Sequence, residues 1–138
     1  MDPHKTGLAI IFHSGSYDRI YHGLSLALAA SALGREAKLF FSYWSLEYFR
    51  KRVSPYFRLD KKAETFGEII EKNIKQGHML DLNELVRQAK AMGVKFYSCT
   101  SSMGLLNIAR DELLPAIDKS MGITTFLSET QDFQLIFI

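Results

Sequence analysis

The single cysteine of this sequence, Cys99, is the residue best suited to covalent chemistry. It follows the Val-, Phe- and Tyr-containing run 94–98 and precedes Thr100, Ser101 and Ser102. We therefore expect it just past the carboxyl end of a strand, with a polar loop or a helix start behind it. Backbone N–H groups at such a position stabilise a thiolate, which is the nucleophilic form of the side chain. The alternative is an inert thiol, because free cysteine is among the most buried residue types.

Polar side chains also follow two other apolar runs, and they are candidates for lining a pocket. In an open parallel sheet, ligands bind at the carboxyl ends of the strands, where such loops meet. An imidazole beside a thiol acts as a base when it is neutral and favours the thiolate when it is protonated. That role for a histidine here requires that its strand neighbours the strand of Cys99, and a rim histidine held by a loop is the alternative. The candidate pocket residues at these two strand ends are His13, Ser14, Ser16, Tyr43 and Trp44.

Missing motifs exclude several classes of protein. The chain has no GxxxxGK[ST] phosphate loop, no GxGxxG and no CxxC. Phe96 stands three residues before Cys99, so the Thr-x-x-Cys pattern of true peroxiredoxins is missing, and Leu105 excludes the Cys-x5-Arg loop of phosphatases. One cysteine also excludes an intrachain disulfide and a four-cysteine metal centre. Asp18 and His22, four residues apart, are expected to pair locally rather than to bind a metal. We therefore predict neither a metal nor another cofactor.

A basic stretch between residues 50 and 62 contains 6 of the 17 lysines and arginines. It is interpreted either as a docking surface for an acidic partner or an anionic ligand, or as a solvated loop. The formal net charge of only +2 and the lack of a nucleic-acid module signature give no support to nucleic-acid binding. The basic residues of this stretch are Arg50, Lys51, Arg52, Arg58, Lys61 and Lys62.

The elements that position these residues alternate between strands and helices. With 138 residues, 47% hydrophobic and 23% charged, the chain has the length and composition of one globular domain over residues 1–138. Short apolar runs bounded by turn residues predict strands, and helical spacing of apolar residues predicts helices. The order of these elements favours an α/β layered domain with a mostly parallel five-stranded sheet. We predict strands over 7–12, 36–42, 94–98, 123–127 and 133–138, and helices over 17–33, 44–52, 63–76, 81–92 and from about Asp111.

No segment reaches the ~18 consecutive apolar residues that cross a membrane. The N-terminal residues 1–6 are polar and show no hydrophobic signal region. Together with the single free thiol, these features predict a soluble, cytoplasmic protein without a membrane span.

Several short segments form a pattern through their order and spacing. They are SGSYD at 14–18, the Ala-rich helix ending at Gly34, FFSYW at 40–44 with Arg50 and Lys51, SCTSSM at 98–103, the turn at Gly122 and the terminal Phe137 and Ile138. Together they resemble the DsrE-like family, in the branch described as DsrE/DsrF/DsrH-like or "peroxiredoxin family". The resemblance covers nearly the whole chain and is poorest over 60–80. It implies a three-layer α/β/α sandwich, assembled as a trimer or a hexamer.

The same resemblance implies a function for Cys99. Characterised members of the family are sulfur carriers, so Cys99 would accept sulfur as a persulfide and pass it to a thiol of a partner protein. A persulfide needs N–H or O–H donors around its outer sulfur, and Thr100, Ser101 and Ser102 would supply them. Because the chain has no second cysteine, the sulfur would leave to another protein or to a small thiol. The implied partners are sulfur-donor and sulfur-acceptor proteins and further copies of this chain.

Two other functions stay open at this stage. The first is a non-catalytic, oligomeric binding protein with an inert Cys99, in which the rim of His13, Ser16, Tyr43 and Trp44 holds a small anion or a partner peptide. The second is a redox sensor in which Cys99 forms a sulfenic acid or an intersubunit disulfide. The rate at which Cys99 is alkylated separates a reactive thiol from an inert one.

Overall fold

A five-stranded sheet forms the centre of the fold in a computed structural model that describes residues 6–51 and 58–138. The order across the sheet follows the chain from the first strand to the fourth in one direction, and the fifth strand lies on the other side of the first. All four neighbouring pairs are parallel, which confirms the predicted α/β class and the five-stranded sheet. The strands are β1 (Leu8–Phe12), β2 (Ala37–Phe41), β3 (Lys95–Cys99), β4 (Lys119–Met121) and β5 (Gln134–Phe137), in the order β4-β3-β2-β1-β5.

Five α-helices lie in the described ranges, with three 3₁₀ segments between them. The third α-helix begins as its sequence predicts, because the Asp81 side chain caps it by accepting a hydrogen bond from the N–H of Glu84 at 2.8 Å. Gly34 and Gly93 follow the first and third helices with positive φ angles of 78° and 86°, which glycine adopts without strain. The helices are α1 (Tyr17–Ala32), α2 (Gly67–Lys75), α3 (Leu82–Ala91), α4 (Thr100–Leu105) and α5 (Ile123–Glu129).

The connections place helices on both faces of the sheet. Because parallel crossovers are right-handed, the three connections that lead from β1 to β4 put their helices on one face, and the return from β4 to β5 puts α5 on the other. Ile20 of α1, Leu85 of α3 and Met103 of α4 all belong to the large core of the first face. A smaller core on the α5 face consists of six buried residues, Ala9, Phe40, Tyr97, Cys99, Met121 and Phe126.

The run 123–127 is helical, so its prediction as a strand is wrong. The fourth strand is instead β4, just before it, and Gly122 is the N-cap of α5 rather than a turn after a helix. A short apolar run with β-branched residues does not distinguish a strand from a buried helix. Only one side of α5 faces the sheet, since Phe126 and Thr130 are buried while Ile123 and Leu127 are exposed.

Two further segments, the one near Asp111 and the one after Cys99, are compared with their predictions. The helix expected from Asp111 is only a 3₁₀ turn, Arg110–Glu112, because the chain becomes extended at Leu113, where φ is −87° and ψ is 148°. The sequence left open whether a polar loop or a helix start follows Cys99, and the structure has a helix there, α4.

The segments on either side of residues 52–57 are also shorter or split. The helix predicted over 44–52 is a 3₁₀ segment, Tyr43–Phe49, and residue 52 itself lies outside the described residues. The helix predicted over 63–76 divides into the 3₁₀ segment Lys61–Phe66 and α2. None of the residues in Lys61–Phe66 or in α2 is fully buried. Packing therefore does not hold this part of the chain in one regular helix.

Candidate functional site

Cys99 is both the last residue of β3 and the N-cap of α4, which places its thiol at the carboxyl end of an interior strand. Its Sγ accepts a hydrogen bond from the backbone N–H of Ser102, with 3.5 Å between nitrogen and sulfur. The residue is 5% exposed and packs with Met121 and Phe126 on the α5 face. The site therefore combines an N–H donor with close apolar packing around one thiol.

The three hydroxyl residues after Cys99 occupy different environments. Thr100 and Ser101 are exposed, whereas Ser102 is 2% exposed. The Ser102 Oγ is buried and has no hydrogen-bond partner in the part of the chain that the structure describes. The backbone N–H of this same residue donates to the Cys99 sulfur. Ser102 is thus the member of the trio with unused hydrogen-bonding capacity near the thiol.

His13 lies at the same edge of the sheet as Cys99 but does not neighbour it. The register pairs Phe12 with Phe41 and Phe41 with Ser98, so His13, Ser42 and Cys99 form the next row. Since neighbouring strands are about 4.8 Å apart, the Cα atoms of His13 and Cys99 are separated by roughly 10 Å. The condition for a direct base role of His13, adjacent strands, is therefore not met, because β2 lies between β1 and β3.

His13 packs among aromatic rings at this edge. Its ring centroid is 4.7 Å from that of Tyr43, 6.3 Å from that of Trp44 and 6.0 Å from that of Phe137. Tyr43 has a φ of 48°, an uncommon conformation for a residue with a side chain, which turns the chain sharply after β2. Trp44 is half exposed, at 50%. The predicted pocket residues His13, Tyr43 and Trp44 are thus brought together as a rim.

A cleft of about 370 Å³ opens where β1 and β2 lead into their following segments. The Ser14 and Ser16 hydroxyls are 3.1 Å apart, and the Ser16 N–H donates to the Ser14 Oγ. Gly15 permits a close approach of two loops, since a Cβ there would lie 2.6 Å from the backbone oxygen of Trp44. Cys99 does not line this cleft. Its lining residues are Ser14, Gly15, Ser16, Trp44, Glu47, Arg58 and Leu59.

The residues of the basic stretch that the structure describes make separate contacts. The Arg50 guanidinium donates to Glu47 at 3.0 Å and to Glu112 at 3.3 Å, and these carboxylates, Glu47 first, raise the pKa of Arg50. Asp60 accepts a hydrogen bond from Arg19 at 2.7 Å, which lowers the pKa of Asp60. Arg58 lines the cleft, whereas Arg52 of the predicted stretch lies outside the described residues.

Three residues of this region were not predicted as site residues. Arg58 and Glu47 line the cleft, and the Phe137 ring lies beside His13 with its plane tilted by 48°. Arg58 stood in the basic stretch, but nothing in its spacing placed it near Ser14. Phe137 follows the strand alternation of β5, which would have put it on the α5 face once the strand order was known.

The described ranges contain neither a cluster of metal ligands nor a helix of membrane-spanning character. No group of three or more His, Cys, Asp or Glu side chains is arranged to hold a metal ion within residues 6–51 and 58–138. No helix in this same part of the chain has the length and apolar character to cross a membrane.

Comparisons with known proteins agree on the fold. The sequence model of the DsrE/DsrF/DrsH-like family matches residues 4–68 and 57–137. The uncharacterized protein YrkE of Bacillus subtilis (strain 168) is 26% identical over 145 residues, which cover 89% of this chain and 90% of YrkE. The structure is similar to the YchN protein of E. coli, with a TM-score of 0.65 and 12% identity. It is also similar to MTH1491, a protein of unknown function from Methanobacterium thermoautotrophicum, with a TM-score of 0.62 and 14% identity. Each structural match covers 96% of this chain and 99% of the other.

Proposed function

Because the chain belongs to the DsrE/DsrF/DrsH-like family, we propose that it is a sulfur carrier that holds sulfur as a persulfide on Cys99. The observation that carries this proposal is the placement of Cys99. The one thiol of the sequence caps a helix at the carboxyl end of an interior strand, with an N–H donor 3.5 Å from its sulfur. Ligands of open parallel sheets bind at this end of the strands. In this proposal residues 1–138 act as a single domain in the cytoplasm, where thiols stay reduced.

The loading step is a displacement at sulfur. The Cys99 thiolate attacks the outer sulfur of a donor persulfide, R–S–SH, and a bond forms between Sγ and that sulfur. The bond between the two donor sulfurs breaks, and the donor leaves as the thiolate R–S⁻ with the electron pair of that bond. The proton of the transferred sulfur stays on it. The step needs no oxidant or reductant, because it exchanges one sulfur–sulfur bond for another.

Unloading is the same displacement in reverse direction. An acceptor thiolate attacks the outer sulfur, takes it as a new persulfide and releases the Cys99 thiolate. The acceptor must be a thiol of another molecule, since the sequence contains no second cysteine. The proposed partners are accordingly a sulfur-donor protein and a sulfur-acceptor protein.

The hydroxyl of Ser102 supports this proposal. A buried hydroxyl without a hydrogen bond costs free energy, about 1–3 kcal/mol, and an acceptor bound at Cys99 would offset that cost. The outer sulfur of a persulfide lies about 2.05 Å beyond Sγ and accepts hydrogen bonds. We propose that Ser102 donates to it, while the exposed Thr100 and Ser101 face incoming partners. His13, Tyr43 and Trp44 form the rim that these partners meet.

We further propose that the chain works as a homo-oligomer, a trimer or a hexamer, as the family resemblance implies. The outer edge of β5 supports association, because β5 pairs with β1 alone and its backbone groups on the other side are unpaired by any described strand. Leu135 and Phe137 on this strand are 51% and 69% exposed. Exposed apolar side chains on an unpaired strand edge mark an interaction surface.

The decisive experiment is intact-protein mass spectrometry after incubation with glutathione persulfide, for the wild type and for Cys99→Ser. We expect the wild type to gain the mass of one sulfur, a reductant to remove it, and Cys99→Ser to gain nothing. A folded wild type whose thiol titrates but never gains sulfur would rule out the carrier function. Serine is close to cysteine in size, so the variant keeps the packing against Met121 and Phe126.

A second candidate function is favoured by the cleft beside Trp44. A non-catalytic protein would bind a small anion there, between the Arg58 side chain and the hydroxyls of Ser14 and Ser16, with an inert Cys99. Titration with inorganic sulfate tests it. Saturable binding that Arg58→Gln weakens, together with a wild-type protein that gains no sulfur, would favour this function over the carrier.

A further inference from the structure

A second cleft lies on the outer side of α1, away from Cys99. It holds about 300 Å³, which is at the small end of the range for ligand sites. One wall is a stripe of α1 at helical spacing, and the opposite wall contains Leu59, Ile70 of α2 and Met79. The residues of the α1 stripe are Tyr17, Asp18, Tyr21, His22 and Ser25.

Two tyrosine rings give this cleft an aromatic wall. The ring centroids of Tyr17 and Tyr21 are 6.1 Å apart, with 30° between the ring planes. Both tyrosines are partly buried, and this burial is the main cause that raises the pKa of each phenol above its usual value. The face of an aromatic ring carries negative charge density and attracts cations, more strongly where water is excluded.

Asp18 is the acidic residue among those that line the cleft. Asp18 is part of its wall, and its Oδ1 accepts a hydrogen bond from the N–H of Asp60 at 2.8 Å, which fixes the carboxylate. Asp81, the N-cap of α3, is close enough for its charge to raise the pKa of both tyrosines further. No lysine or arginine is among the lining residues, and the basic side chain there is the exposed His22.

We propose that this cleft binds a small organic ammonium cation that carries methyl groups. The ring of Tyr21 and the Asp18 carboxylate match the positive charge, while Ile70 and Met79 match the methyl groups. A metal ion fits less well, because the described residues offer no group of three or more His, Cys, Asp or Glu ligands. The site does not involve Cys99, so it stands independently of sulfur transfer.

The test is calorimetric titration of the full protein with choline chloride and with 3,3-dimethyl-1-butanol, its uncharged isostere. We expect choline to bind about tenfold more tightly than the alcohol, because only choline gains the ring and carboxylate interactions. Tyr21→Leu removes one ring face and should weaken choline binding about fivefold. Tyr21→Phe keeps the face and should leave the affinity within about twofold, and Cys99→Ser should leave it unchanged.

Three results would overturn the proposal. Equal affinity for choline and the alcohol would mean that the cleft is simply apolar. No saturable heat at millimolar choline would mean that there is no site. A loss of binding in Tyr21→Phe as large as in Tyr21→Leu would mean that the ring face is not the recognising group. Circular dichroism of each variant checks the fold, and Tyr21→Phe removes only a hydroxyl.

Discussion

Replacing Ser102 by alanine is expected to stabilise the unloaded protein, the reverse of the usual result for a buried hydroxyl. The Ser102 Oγ is buried without a hydrogen-bond partner in the described part of the chain. It gives up hydration on folding and gains nothing in return, at a cost of about 1–3 kcal/mol. Alanine removes that cost and keeps the backbone N–H that donates to Cys99.

Two other serines, Ser101 and Ser42, serve as references for the change in stability that Ser102→Ala causes. Alanine is also a better helix former than serine by roughly 0.5 kcal/mol, so the exposed neighbour Ser101 in the same helix turn serves as the reference. We expect Ser102→Ala to raise the free energy of unfolding by about 1 kcal/mol more than Ser101→Ala does, which corresponds to about 3–5 °C in Tm. Ser42→Ala removes a hydroxyl that donates to the Phe12 oxygen at 2.8 Å, and it should lower stability by about 1 kcal/mol.

Urea unfolding of the reduced protein, followed by circular dichroism, measures all three variants. If Ser102→Ala is no more stable than Ser101→Ala, the hydroxyl is satisfied in the resting protein and the reasoning fails. The protein that carries the Cys99 persulfide provides an independent test of the role of Ser102. If Ser102 donates to the outer sulfur, the Cys99 persulfide should be lost faster in Ser102→Ala than in Ser101→Ala, and mass spectrometry over time measures both.

Three further predictions concern the edge strand, the α5 face and acid stability. Phe137→Asp should convert the proposed oligomer to a smaller species in sedimentation velocity, because a charge on the exposed β5 edge opposes pairing. Phe126→Ala should lower stability by about 3–5 kcal/mol in urea, since the ring is fully buried and stacks on Phe40 at 4.8 Å, and it should speed alkylation of Cys99. The Arg19 hydrogen bond lowers the folded-state pKa of Asp60, so its stabilisation is present above the unfolded-state pKa and is lost as pH falls through the folded-state pKa. Asp60→Asn should therefore be less stable than wild type at neutral pH and equally stable in acid.

Matched control variants accompany the first two predictions, and a specific outcome would contradict the third. Leu105→Asp, on another exposed apolar residue at 67% exposure, should not change the sedimentation of the proposed oligomer. Phe66→Ala, at 59% exposure, should stay within about 0.5 kcal/mol of wild type. A stability gap between Asp60→Asn and wild type that persists unchanged into acid would mean that the Arg19 contact does not stabilise the fold.

The parts of the fold that were predicted correctly are those in which the local sequence pattern agrees with the burial of the residues in the structure. Strand β1 is continuously apolar because helices and neighbouring strands cover it on every side, and α3 shows both its cap at Asp81 and its apolar stripe. The strand prediction for 123–127 was wrong because Ile, Thr and Phe favour strands locally. The connection that leads from β4 back across the sheet to β5 requires a helix there. That requirement depends on the strand order, which no local pattern contains.

The candidate site was predictable in its residue types and not in its geometry. Cys99 and the hydroxyls after it were evident from their position behind an apolar run. The separation of His13 from Cys99 follows from β2 lying between their strands, which only the assembled sheet reveals. The burial of Ser102 could not be foreseen either, because the sequence left open whether a loop or a helix follows Cys99, and a loop serine would be solvated.

The sheet order has a consequence for the time course of folding. Leu8 pairs with Ala37, about 29 positions along the chain, and with Gln134, about 126 positions along. Loop closure therefore costs about 1.3 kcal/mol more for the second pairing, so β1, α1 and β2 assemble early and β5 docks late. Until it docks, one edge of β1 is unpaired, and Ala9 and Ile11 are missing their neighbours there. Refolding yield should consequently fall as protein concentration rises, because that edge is free to pair with another chain.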